Sequence, residues 1–197
     1  MSVTLQKGQT ISLEKKASPV LHSVVMGLGW DPVKPKGGFL GRLLGGGVSH
    51  IDLDASCVIL DQQGNPLDQV WFRQLRSRCG SVEHTGDNLT GEGEGDDEQI
   101  IVKLDQLPAE AAMLFFLVNN FTGQDFQQVA SAFCRLMDAD THTELARYDL
   151  PSQGQHSALI MARLFRQPEG WALQAIGEPT KGRTFHDVLP LLRRYTT

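Results

Sequence analysis

The sequence predicts a mainly β fold, a two-sheet β-sandwich with short peripheral helices. Nine or ten short segments have strand character and recur at regular spacing. Gly, Pro and Asn turn signals separate them. Helical periodicity is scarce, and no internal repeat marks a solenoid or a propeller.

Each element has its own warrant. VTL (3–5) and TISL (10–13) are short extended pieces around a Lys7-Gly8 turn. VVMGLGW (24–30) is apolar and carries Gly27 and Gly29, the mark of a bulged strand or one that another backbone approaches closely. IDLDASCVIL (51–60) alternates, with Ile51, Leu53, Ala55, Cys57 and Ile59 on one face and Asp52, Asp54 and Ser56 on the other. A turn at QQGN (62–65) leads to LDQVWF (67–72) as its hairpin partner. QIIVKL (99–104) is a further strand, and MLFFLVN (113–119) reads as a strand buried on both faces. QDFQQVA (124–130) predicts one or two helical turns with Phe126, Val129 and Ala130 on one face. AFCRLMD (132–138) with TELARYDL (143–150), and ALIMARLF (158–165) with WALQAIG (171–177), predict two hairpins. Thr184 is placed to N-cap a last helix, which Pro190 should kink or shorten.

A length of 197 residues suffices for one core, and no composition break divides the chain, so one domain is expected over 1–197. Hydrophobic residues at 41% and charged residues at 21% exclude wholesale disorder. No apolar run approaches the roughly 20 residues of a membrane span. The N-terminal MSVTLQKGQTISLEKK lacks the apolar core of a signal peptide, which sets the expectation of a cytoplasmic protein. A net charge of −5 argues against bulk nucleic-acid binding. Cys57, Cys79 and Cys134 are far apart, which fits neither a disulfide framework nor a zinc site; Cys57 and Cys134 are expected in the core.

The charge is unevenly placed. Segment 83–98 holds seven acids (Glu83, Asp87, Glu92, Glu94, Asp96, Asp97, Glu98) and no Lys or Arg. The other 16 of the 23 acids stand against all 18 bases, so this one segment carries the whole negative excess. Glycine alternates with acid in TGEGEGDDE. Such a chain offers carboxylate and carbonyl oxygens at little steric cost, and oxygen-only ligation in a flexible loop favours Ca²⁺ over Mg²⁺. Like charges about 4 Å apart cost on the order of 4 kcal/mol at an effective dielectric of about 20, so the loop either splays or takes a cation. Asp52 and Asp54, two apart on one strand face, are a second candidate for the same ion or another. The segment is neither an EF-hand nor a phosphate cradle.

At these residues the sequence resembles the TerD family of tellurium-resistance and stress proteins. The resemblance is carried by GLGWD (27–31), DLDAS (52–56), HTGDNLTGEGEGDDE (84–98), and AFCRLMD with ELARYDL (132–138, 144–150). The inserted loop DPVKPKGGFLGRLLGGG, VWFRQL and NNFTGQDFQQVASAFCRL resemble its TerZ branch. The resemblance implies a β-sandwich that binds Ca²⁺, one or two ions, through acidic loops. It implies metal ligation by Asp52, Asp54, Asp87, Asn88, Glu92, Asp96, Asp97 and Glu98, with the carbonyls of Leu89, Gly91 and Gly93 as further ligands. It implies a place among other tellurite-resistance proteins, including a membrane-bound partner, with peripheral association at the inner membrane as one setting. How these ligands group around each ion, and the oligomeric state, stay open.

Other features carry less. The Gly-rich loop 31–50 bears Phe39, Leu40, Leu43 and Leu44 with Lys34, Lys36 and Arg42. It reads as a flap over the sandwich, or as the tip of a Ca²⁺-dependent membrane-surface module. Arg73, Arg76 and Arg78 read as a solvated basic edge. There is no G-x-S-x-G, H-E-x-x-H or P-loop. The expectation is therefore a protein that acts by interaction; a metal-dependent hydrolase with His84 as base is the weaker alternative.

Overall fold

The computed structural model describes residues 2–14, 21–32, 52–86, 95–120, 125–150 and 154–196. Its strands are β1 (Val3–Thr4), β2 (Thr10–Ser12), β3 (Ser23–Pro32), β4 (Leu53–Leu60), β5 (Pro66–Val70) and β6 (Val82–His84), followed by β7 (Glu98–Lys103), β8 (Met113–Asn120), β9 (Val129–Asp138), β10 (Glu144–Asp149), β11 (Ala158–Gln167) and β12 (Gly170–Thr180). The helix α1 is Phe185–Leu192, and single 3₁₀ turns lie at Leu104–Gln106, Phe126–Gln128 and Arg193–Tyr195.

These strands form the two-sheet sandwich that the alternating pattern predicts. The first sheet runs β1-β10-β9-β3-β7-β6 and the second β2-β12-β11-β8-β4-β5. All pairings are antiparallel except that of β1 with β10. The Lys7-Gly8 turn carries the chain from β1 in one sheet to β2 in the other, with Gly8 at φ +82°. Both predicted hairpins form, β9–β10 in the first sheet and β11–β12 in the second.

Between the sheets lies the main core, fed by Val24, Met26, Leu28, Leu53, Cys57, Phe116, Leu136 and Leu164 among others. Cys57 and Cys134 are buried in it as expected, and burial pushes both thiols up, that of Cys134 to about 12. β8 is buried along its whole length for a visible reason. Leu114, Phe116 and Val118 face the inter-sheet core, while Met113, Phe115 and Leu117 face a second apolar layer on the outside. Phe185, Val188 and Leu192 of α1 close that outer layer over Val58, Leu60, Ile160 and Ile176.

Two expectations are corrected. QDFQQVA makes only one 3₁₀ turn, and Val129 and Ala130 already belong to β9, with Val129 buried and Ala130 exposed. Asp54 and Ser56 occupy the outward side of β4 as the alternation requires, but that side is buried. α1 begins after Thr184 and passes into a 3₁₀ turn three residues beyond Pro190, the shortening its missing N–H demands. The 33–51 stretch, with the Phe39–Leu44 tip, lies outside the described residues.

Candidate metal centre

The acidic segment re-enters the described structure at Gly95, and its end is fastened by three consecutive carboxylates that point three ways. In β3, Met26 and Leu28 face the core, so Gly27 and Gly29 face outward. The chain end at 95–97 lies on that bare patch. A side chain at Gly27 would run into the Asp96 carboxyl, and one at Gly29 would come within 2.7 Å of the Gly95 carbonyl and within 2.5 Å of the Phe133 ring. This is the close approach that the two glycines announce.

Asp96 therefore sits on the outer face of the first sheet, its side chain fully buried. Oδ1 accepts from Arg135 Nε at 2.7 Å and Oδ2 from Gln99 Nε2 at 3.0 Å. Arg135 also reaches Glu144 at 3.6 Å, and these acids hold its guanidinium above its usual range. Asp97 sits at the strand edge. Its N–H donates to the Leu28 carbonyl at 2.8 Å, and its Oδ2 accepts from Trp30 N–H at 2.9 Å. Burial raises the Asp97 carboxyl; the Trp30 N–H offsets part of this, and the neighbouring charges of Asp31 and Asp96 raise it further. Asp31 accepts from Ser131 Oγ at 2.6 Å.

Glu98 turns inward. It shares the core-facing side of β7 with Ile100 and Val102. Its Oε2 crosses to the second sheet and accepts from Ala55 N–H at 2.6 Å. That N–H is available because β5 pairs with β4 only from Cys57 onward, leaving the β4 edge open at Ala55. The same oxygen lies 3.3 Å from His84 Nε2, and both side chains are fully buried. His84 Nδ1 accepts from Gly86 N–H at 3.1 Å, so in the neutral ring the proton sits on Nε2, toward Glu98. The sequence singles out His84 as the histidine nearest the acidic loop, and the structure places it there. It is buried beside Glu98 at the point where the chain enters the acidic loop.

Asp54 is buried on the outer face of the second sheet, opposite Asn119 of β8, and Asp52 is half-buried just before β4. Asp54 and Asp96 thus stand on opposite outer faces of the sandwich. Sheets pack about 10 Å apart, and two oxygens on one Ca²⁺ lie within about 5 Å of each other, so these two do not share an ion. Asp31 and Asp96 lie near enough to Asp97 for their charges to raise its carboxyl. Asp87, Asn88, Leu89, Gly91, Glu92 and Gly93 lie outside the described residues. Among the described residues, no three His, Cys, Asp or Glu side chains form a ready metal-binding group. The donors are nevertheless all oxygen, and the carboxylates crowding Asp97 favour a hard cation, so the chemistry of the set fits Ca²⁺.

Arg135 and Ser131 are site residues that sequence reasoning missed. The available signal was an arginine at an outward position of the strand beside β3, where the buried Asp96 finds its counter-charge.

A model of the TerD domain matches residues 1–189. The chain is 52% identical over 186 residues to tellurium resistance protein TerZ of Serratia marcescens, covering 94% of each chain. It is 42% identical to stress response protein SCP2 of Bacillus subtilis (strain 168), over 96% of this chain and 98% of that one. Among solved structures, a homologue of telluride resistance protein (TerD) from Streptomyces coelicolor A3(2) superposes with a TM-score of 0.67 at 19% identity, covering 90% and 99% of the two chains. A protein of unknown function gives a TM-score of 0.64 at 22% identity, covering 84% and 94%. At those identities the likeness speaks for the fold alone.

Proposed function

The chain belongs to the TerD family of tellurium-resistance and stress proteins, and from that premise we propose that it is a cytoplasmic Ca²⁺-binding protein of the tellurite and stress response. It acts through Ca²⁺-stabilised contacts with other resistance proteins, a membrane-bound one among them, and not by turnover. The observation that carries this reading is the three-way anchoring of residues 96–98. Asp96 ties the end of the acidic loop to the outer face of the first sheet, Asp97 to the end of β3, and Glu98 to the edge of β4 in the second sheet. A cation that orders the loop would act on a segment already joined to both sheets. Its effect would be a fixed surface for a partner. No helix among the described residues is long and apolar enough to cross a membrane.

The test is calorimetric titration of chelator-stripped protein with Ca²⁺, Mg²⁺ serving as competitor. Selective Ca²⁺ binding that Asp97→Asn weakens is the expected result. A correctly folded protein that binds no Ca²⁺ would overturn the reading and leave the acidic loop as a surface for a basic partner.

A further inference from the structure

The outer face of the second sheet is only partly roofed. α1 and the turn after it cover Val58, Leu60, Phe115 and Ile160, with Tyr195 reaching the Phe115 ring at 6.4 Å. Beyond Thr196 the same face opens into a cleft of about 630 Å³. Its lining includes Met113, Phe165 and Arg163 from the sheet, with the turns at 61–63 and 109–112 as walls. This lies at the Leu60–Met113 end of the β4–β8 pair, whereas Glu98 and Asp54 lie at the Leu53–Asn120 end. At about 3.3 Å per residue the two places are roughly 20 Å apart.

Arg163 makes this cleft unusual. It stands in the middle of a sheet, on β11 between Phe115 of β8 and Gln174 of β12, and is half-buried. Its Nε donates to Gln174 Oε1 at 2.8 Å, and its guanidinium lies over the Phe165 ring at 4.6 Å. Those two contacts fix the plane of the fork. Among the described residues neither Nη has a protein acceptor and no carboxylate pairs with the group. Burial pulls its pKa down from the usual guanidinium value.

The other charges in the cleft are engaged or at the rim. Asp61 accepts from Gln63 N–H, Asn65 N–H and Asn65 Nδ2 within its own turn. Arg166 donates to the carbonyls of Leu107, Pro108 and Ala111 and lies over Trp171 at 4.6 Å. Glu110 is exposed at the edge. A pre-oriented guanidinium with open Nη donors above an apolar floor is the arrangement that receives a planar oxyanion in two parallel hydrogen bonds. The volume is that of a small-molecule site.

We propose that this cleft binds a small organic anion, its carboxylate or phosphate on the Nη atoms of Arg163 and its apolar body on Met113 and Phe165. The site is independent of the cation reading.

The experiment follows backbone amides by NMR in the full chain, with Ca²⁺ and with chelator. The probes are benzoate, phenyl phosphate, inorganic phosphate and benzyl alcohol. Benzoate or phenyl phosphate is expected to shift amides in 61–63, 110–113 and 163–166, and to bind about tenfold more tightly than benzyl alcohol or inorganic phosphate. Arg163→Gln should lose about tenfold in affinity, and Arg163→Lys should lose part of it by giving up the fork. Ligand-free Arg163→Gln should melt no lower than the parent. A variant that melts lower while binding unchanged would make Arg163 a structural residue and overturn the proposal. So would benzyl alcohol binding as well as benzoate, or the absence of shifts in those segments at millimolar probe.

Discussion

Gly29 and Arg135 hold one contact from its two sides. Gly29 leaves room for the Gly95 carbonyl, and Arg135 supplies the counter-charge that lets Asp96 be buried beside it. Removing one partner of a buried pair leaves an uncompensated charge, at a cost of about 3 kcal/mol or more. Arg135→Gln should therefore destabilise the fold by that order in urea melts, while Asp96→Asn combined with Arg135→Gln should recover much of it. Additive single losses in this cycle would show that the pair is not coupled. Asp68 makes a second residue-scale case. Burial pushes its carboxyl up, but hydrogen bonds from Arg78 N–H, the Gln74 amide and Gln69 N–H, with the Arg78 charge, bring it below its ordinary value. A depressed folded pKa adds stability above the unfolded value of about 3.9, and that stability is lost as pH falls through the folded pKa. Asp68→Asn should then cost about 1–2 kcal/mol at pH 7, and the gap to the parent should close in strong acid. A gap that does not change with pH would remove the electrostatic explanation.

α1 shows how an element far along the chain decides what a strand pattern means. The alternation in 51–60 correctly divides Leu53, Ala55, Cys57 and Ile59 from Asp54 and Ser56. Periodicity alone could not tell that the polar side is covered. The roof is supplied by the C-terminal segment, through α1 on Val58 and Leu60 and through Gly182 at Asn119. For the same reason Arg163 had no signal in the sequence, since its cleft exists only where α1 stops. The sandwich, both hairpins and the doubly buried β8 were legible because each rests on a local pattern. The fates of Asp96, Asp97 and Glu98 were not, because three neighbouring acids look alike until β3, β4 and β9 are brought around them. QDFQQVA misled because Phe126 and Val129 are both buried, which a helix face and a turn entering a strand satisfy equally. At the start of α1, Asp187 Oδ2 accepts from Arg183 and Thr184 N–H at 2.8 and 3.2 Å. Asp187→Ala should cost about 1 kcal/mol and speed hydrogen exchange in 185–195, leaving β3 and β9 unchanged. Equal loosening of the first sheet would mean that α1 is not a separable element.

On the scale of the whole molecule, the acidic segment matters because its anchored end touches both sheets. An ion that binds the native state and not the unfolded chain adds about 2.7 kcal/mol when free metal is 100 times its Kd. For a chain of this size each kcal/mol moves the melting midpoint by about 2–4 °C. Scanning calorimetry of the stripped protein should thus show a rise of about 5–10 °C at saturating Ca²⁺, in one transition, since Glu98 and Ala55 link the sheets. The separation of Asp54 from Asp96 adds a sharper requirement. The candidate ligands cannot all surround one ion, so either two ions bind or one of the two faces contributes nothing. If two ions bind, Asp97→Asn should abolish one calorimetric step and Asp54→Asn the other, each keeping about half of the thermal shift. If Asp54→Asn leaves both the stoichiometry and the shift intact, the ion belongs to the first sheet's end alone, and the buried Asp54 serves the packing of β4 against β8. No shift with Ca²⁺, or an equal shift with Mg²⁺, would remove the calcium reading while leaving the sandwich and its anchored loop end as they stand.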